Sequence, residues 1–220
     1  MTLEEYFNCC LDLDLNLQPG SSGEYTLHRV LYPKGSEMPI IPVSRQAELM
    51  GYAYRTIILD KEYRQYDLLR NNQCIMSSVG IEMFPLYVPY VRARGNVLVG
   101  GLGVGALAQL LCEKENVKSV TVVEFSPDVI RLCSFQNKKL NIVEDDFYKY
   151  LREQDLGRFD YIYFDTFSDG ADHYGSVVIP MRNYLLDNYP TIPFDFWNED
   201  QLKSEYVPAA VDNHSNGLHV

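Results

Sequence analysis

Apolar residues change their spacing near residue 94, and the change splits the chain into two kinds of pattern. Residues 2–14 (TLEEYFNCCLDLD) carry apolar side chains at helical spacing behind Thr2, with Glu5 three residues on. That is capping-box chemistry, and it predicts a short helix. Residues 17–23 (LQPGSSG) are turn formers and mark a boundary. Residues 25–43 read as short extended pieces, broken by Pro33-Lys34-Gly35, Pro39 and Pro42, and 44–50 (SRQAELM) suit the start of a brief helix. Residues 54–59 and 66–69 are β-rich, and the Asn71-Asn72 pair predicts a turn into a further strand at 73–77. Residues 81–92 (IEMFPLYVPYVR) are apolar at helical spacing, but Pro85 and Pro89 predict a helix that breaks or starts late.

From residue 95 the pattern alternates strand and helix. Strands are predicted at 96–99, 119–124, 140–143 and 161–164, with helices at 104–115, after Ser126-Pro127-Asp128 to about 135, and at 147–152. Such alternation argues a parallel sheet. The expected fold is α/β, a Rossmann-like three-layer sandwich with a mainly parallel sheet, preceded by a small strand-rich region. The expected division is 1–93 strand-rich, 94–207 Rossmann-like, and 208–220 a disordered tail. A helix is predicted at 177–188, but no late β pair is evident after it. The expectation is a sheet that is shortened, or covered by irregular aromatic packing over 191–209.

Composition narrows the class. A chain of 220 residues can close one core, with roughly 70% of its surface buried, without a disulfide or metal staple. Its net charge of −11 disfavours nucleic acid and suits a cationic or neutral small molecule. No apolar run reaches the roughly 18 residues of a membrane span, and the acidic start lacks the basic region of a signal peptide. The five cysteines form no CxxC pair and no zinc spacing, so a reducing cytoplasm is expected.

The chemistry concentrates in Val97-Leu98-Val99-Gly100-Gly101-Leu102-Gly103-Val104-Gly105. An apolar strand enters a loop without bulky side chains, and a helix leaves it. Glycines allow tight turning and close approach of a ligand to the main chain. The amides at the helix start favour a polar or anionic group. Glu124 ends the next strand, where an acid can accept both hydroxyls of an adenosine ribose. Asp145-Asp146-Phe147 follows the third strand and places an acid and a backbone N–H where an adenine edge would lie. Phe125 and Phe147 are candidates to flank the ring. The fourth strand delivers Asp165 to its carboxyl end.

In these residues the chain resembles the class I S-adenosylmethionine-dependent methyltransferases, and among them the spermidine synthase-like branch. VLVGGLGVGALAQLL, SVTVVEFSPDVIRL, VEDDFYKYL and FDYIYFDTF carry the resemblance over about 94–168, with weaker likeness over 54–93. It implies that Gly101, Gly103 and Gly105 approach the methionine moiety. It assigns the ribose to Glu124, the adenine amino group to Asp145 and the reacting end to Asp165. The cofactor implied is S-adenosylmethionine or its decarboxylated form. The chain departs from polyamine synthases at Met76-Ser77-Ser78-Val79-Gly80-Ile81-Glu82-Met83, where that branch carries a tyrosine, and in the spacing of acids after Asp165.

Asp169 and His173 are further catalytic candidates. His173 could act as a general base, or be a plain loop histidine. Asp169, Asp172 and His173 have no second cluster to make a metal site, so no metal is assigned. The leading expectation is a methyltransferase acting on a small or cationic acceptor, with an aminopropyltransferase as first alternative. A non-catalytic nucleoside-binding or partner protein is the second, and a nicotinamide oxidoreductase ranks below it. The expected partner is a small-molecule acceptor, with neither nucleic acid nor membrane; a homodimer is left open.

Overall fold

The computed structural model describes residues 1–42, 54–78, 80–166 and 173–205. The helix expected at 44–50, the tail from 208, and Asp169 and Asp172 lie outside the described residues. Two compact units are present. One comprises Met1–Thr166 with Thr191–Trp197, the other Phe167–Pro190 with Asn198–Val220.

In the first unit, helix α1 (Leu3–Asp12) starts with the expected capping box. Thr2 Oγ1 accepts from Glu5 N at 3.2 Å, and Thr2 N donates to Glu5 Oε2 at 2.6 Å. Strands β1 (Gly20–Ser22), β2 (Tyr25–Tyr32), β5 (Tyr63–Arg70) and β6 (Gln73–Ser77) form an antiparallel sheet in the order β1-β2-β5-β6. β3 (Glu37–Pro42) pairs with β4 (Tyr54–Ile58) in a separate antiparallel ribbon. Asn71 (φ 50) and Asn72 (φ 66) make the tight turn between β5 and β6, as their readiness for left-handed backbone predicts. The proline-interrupted stretch is broken as expected, into α2 (Gly80–Met83), a 3₁₀ turn (Phe84–Leu86) and α3 (Tyr87–Arg92). α1 docks on this stretch through Tyr6, whose ring lies 5.2 Å from that of Tyr90 and whose hydroxyl donates to Met83 O at 2.8 Å.

The main sheet is parallel throughout. Its strands are β7 (Gly95–Gly100), β8 (Val117–Glu124), β9 (Leu140–Glu144), β10 (Tyr161–Phe164) and β11 (Phe194–Phe196), in the order β11-β10-β7-β8-β9. Helices α4 (Ala106–Glu113), α5 (Pro127–Cys133) and α6 (Phe147–Glu153) are the crossovers, giving the Rossmann-like α/β fold. Val97, Leu98 and Val99, like all four residues of β10, are buried on both faces. That explains why these strands read as continuous apolar runs. Ser126 caps α5 by accepting from Val129 N, and Asp146 caps α6 by accepting from Lys149 N at 2.7 Å.

The expectation of no late β pair is qualified by β11, a single short parallel strand at the edge of the sheet. Three residues suffice because Ile162 N donates to Pro193 O, Trp197 N donates to Phe164 O, and the Phe196 ring stacks on Phe164 at 4.2 Å. The second unit holds a π-helical turn (Tyr174–Val178) running into α7 (Ile179–Asn188), then α8 (Glu199–Glu205). Arg182 and Glu199 form an ion pair there. Among the described residues no helix is long and apolar enough to cross a membrane.

Candidate functional site

Strand order fixes where a site can form. β7 leads to β8 and β9 on one side, while β10 lies on its other side, so the topology switches between β7 and β10. In open α/β sheets ligands bind beyond the carboxyl ends at that point. The register there pairs Phe164 with Gly100, so the glycine loop and Asp165 leave adjacent strand ends together. Asp165 N donates to Gly100 O at 3.0 Å.

Gly101 (φ 89) and Gly103 (φ 52) adopt backbone that L side chains rarely take. A Cβ built on Gly101 would stand 2.2 Å from the carbonyl oxygen of Asp165. One built on Gly103 would stand 1.9 Å from the sulfur of Met76. Gly105 (φ 76) begins α4, and Leu102 is buried. Most loop amides are already engaged. Gly101 N donates to Val123 O, Leu102 N to Glu124 Oε2 at 2.8 Å, Val104 N to Met76 Sδ at 3.4 Å, and Gly105 N to Leu102 O.

Glu124 thus lies against the loop it was expected to face. Its other oxygen accepts from Ser126 N at 2.8 Å, so each oxygen holds one backbone bond and keeps a lone pair for a hydroxyl. A ribose diol fits that remaining capacity. Phe125, next in the chain, is 74% exposed and offers a ring face at the surface.

The acids after β9, expected at the adenine edge, are engaged locally. Asp145 Oδ1 accepts from Asp146 N at 2.9 Å and from Lys149 Nζ at 3.1 Å. The lysine, chiefly, holds the Asp145 carboxyl below its ordinary range. Asp146 spends its own carboxylate on capping α6. Phe147 is buried, with its ring against Gly100 and edge-on to Phe164 at 5.1 Å. It fills the core beneath the loop.

Asp165 is half-buried as a residue. Burial, with Glu82 and Glu124 adding like charge, pushes its carboxyl up to about 7. Glu124 and Asp165 thus lie at the switch point, and Glu82 of α2 is near enough for its charge to be felt there. Glu82, on α2, came from a stretch where the sequence signalled only a missing tyrosine. Met76 was equally illegible, because its contact with Gly103 joins β6 to the loop that leaves a strand of a different sheet. Tyr163 sits on β10 two residues before Asp165, in the alternating set Tyr161, Tyr163, Asp165, and its buried hydroxyl has no hydrogen-bond partner. That alternation was the available signal. His173 precedes the π-helical turn of the second unit. Among the described residues no group of three or more His, Cys, Asp or Glu could hold a metal ion.

The fold and switch-point geometry define a Rossmann-like α/β protein with a glycine loop and an acid-rich sheet end. No family model matches the chain, and no curated protein matches it. Among solved structures, it is similar to a crystal structure of spermidine synthase in complex with the transition-state analogue AdoDATO. The identity is 14% and the TM-score 0.38, over 81% of this chain and 64% of that one. It is similar also to spermidine synthase from Thermotoga maritima, at 15% identity and TM-score 0.36, over 79% of this chain and 61% of that one. The chain thus spans less than two thirds of either. Likeness of this degree carries no functional weight, and the fold stands on the chain's own strand order.

Proposed function

We propose that this chain binds a sulfonium nucleoside of the S-adenosylmethionine type and transfers a methyl group from it to a small amine or other cationic acceptor. The observation that carries the reading is that Glu124 and Asp165 both end against the glycine loop, Glu124 accepting from Leu102 N and Asp165 N donating to Gly100 O, with Glu82 near enough to add its charge. Clustered carboxylates suit a positively charged sulfur and a positively charged acceptor. Glu124 keeps the lone pairs a ribose needs. An ammonium must lose a proton before it can attack carbon, and a carboxylate raised to about 7 can take that proton near neutrality. The amine lone pair then forms the new C–N bond as the C–S bond breaks, and its electrons stay on sulfur as a neutral thioether. Alignment of nucleophile and carbon supplies most of the remaining rate.

Aminopropyl transfer from the decarboxylated cofactor is the second reading. It is favoured by the engaged loop amides, which leave few donors for a methionine carboxylate among three acids. Calorimetric titration with S-adenosylmethionine, its decarboxylated form, its demethylated product and NAD tests the reading. It is run on the wild type and on Met76→Ala, which uncovers Gly103. Binding of a sulfonium nucleoside is expected, tighter in the variant. Product formation with methyl acceptors or with putrescine separates the two transfers. No binding to either protein sinks the reading. Tight binding without turnover of any acceptor leaves a non-catalytic binding protein.

A further inference from the structure

We infer that Tyr163 is a positioning residue whose hydroxyl holds the Asp165 carboxylate through one buried water. Side chains on a strand alternate, so Tyr161, Tyr163 and Asp165 belong to one face of the chain at the end of β10. The two tyrosines differ in one respect. Tyr161 Oη donates to Asp195 Oδ2 at 2.5 Å, and Asp195 in turn pairs with Arg92. Tyr163 is just as deeply buried, yet among the described residues its hydroxyl meets no donor or acceptor. A buried hydroxyl without a partner is costly, and native proteins meet that cost with an ordered water where polar groups can hold one.

The charged and titratable groups whose charge reaches Tyr163 are Asp165, Tyr161, Tyr6 of α1 and Asp195 of β11. Those facing Asp165 are Glu82 of α2 and Glu124 of β8. Tyr161 and Asp195 already hold each other, and Tyr6 is committed to Met83 O. Asp165 is the strongest remaining acceptor, and it lies beyond direct hydrogen-bond reach of the hydroxyl. A water between them accepts from Tyr163 and donates to the carboxylate. The hydroxyl thereby favours the charged form of Asp165 against burial and two neighbouring acids, and it fixes which way the carboxylate faces.

The inference deepens the proposed site but is testable without its ligand. Asp165 is followed by carboxyl ¹³C NMR in aspartate-labelled protein, with its resonance assigned by its loss in Asp165→Asn. The wild type is compared with Tyr163→Phe, and with Tyr161→Phe as a control that also loses a buried hydroxyl on the same face. Tyr163→Phe is expected to raise the Asp165 midpoint by about half a pH unit or more, as loss of a hydrogen bond to the charged form should. Tyr161→Phe should leave it in place. A crystal structure of the wild type should show one ordered water within hydrogen-bond distance of both oxygens. An unmoved midpoint, equal shifts in both variants, or a dry, direct gap between the oxygens overturns the inference. No cofactor enters the titration, so failure to bind a sulfonium nucleoside and failure of this relay are separate results.

Discussion

Replacing Gly101 by Ala is the most discriminating change in the loop, because the obstacle is main chain. The residue sits at φ 89, where an L side chain costs about 1–2 kcal/mol. The added Cβ would stand 2.2 Å from Asp165 O and 3.2 Å from its carbonyl carbon. No rotamer change relieves that. The ends of β7 and β10 must part, which strains the Asp165 N to Gly100 O bond (3.0 Å) and the Gly101 N to Val123 O bond (2.9 Å). Each is worth about 1 kcal/mol net. The expected loss is therefore about 3–4 kcal/mol. Gly103→Ala makes the contrast. Its φ of 52 lies in the ordinary left-handed region, and its Cβ meets only the Met76 thioether, which can swing away at about 1 kcal/mol of rotamer strain. About 2 kcal/mol is expected there. A double variant with Met76→Ala should be less destabilised than the sum of the singles, since the two groups touch. Urea unfolding at 25 °C, with slopes compared to confirm two-state behaviour, reads the four variants, Met76→Ala alone included, against the wild type. A Gly101→Ala cost no larger than that of Gly103→Ala would refute the reasoning, as would strict additivity at 76 and 103.

Asp165→Asn should be stabilising at pH 8 and neutral near pH 4. The carboxyl is raised from 3.8 to about 7, so between those values the folded state keeps a proton that the unfolded state has lost. Wild-type stability therefore falls as pH rises through that window, by about 2–4 kcal/mol after allowance for the water that still reaches the residue. Equal effects of Asp165→Asn at both pH values, by chemical denaturation, would show that the group is not perturbed. Asp146→Ala should cost about 1 kcal/mol by removing the cap on Lys149 N, while Asp146→Asn should cost only a few tenths. A loss of the same size in both would assign the effect to charge instead.

Much of the fold was legible because local rules and tertiary contacts agree over most of the chain. Thr2 with Glu5, the Asn71-Asn72 turn, and the caps Ser126 and Asp146 are each complete within a few residues. Residues 97–99 of β7, 120–123 of β8 and 161–164 of β10 are buried on both faces and read as nearly continuous apolar runs. β11 was missed because three residues behind Pro193 carry no periodicity, and it is defined by Phe164, a neighbour distant in sequence. The same divide runs through the site. The glycine loop, Glu124 and Asp165 follow from strand ends, and strand ends were predictable. Whether a side chain is spent elsewhere was not. Phe147 has the right position to flank a base, yet the missing side chain of Gly100 draws its ring into the core.

That distinction bears directly on what the site can hold. A glycine loop before a helix invites an anion because its amides are bare, but here the amides of Leu102 and Val104 are committed to Glu124 and Met76. The first of these partners is itself an anion, so the helix start is already neutralised from within the protein. An additional carboxylate or phosphate arriving at the loop would face Glu124, Asp165 and Glu82 with few donors in return. A sulfonium or ammonium would meet the opposite balance: acidic groups, of which Asp165, raised to about 7, is partly protonated near neutrality and ionises further as positive charge approaches. On the proposed reading, the acid-rich end of the sheet, more than the glycines that first draw attention, would set the charge of the ligand and favour a cation.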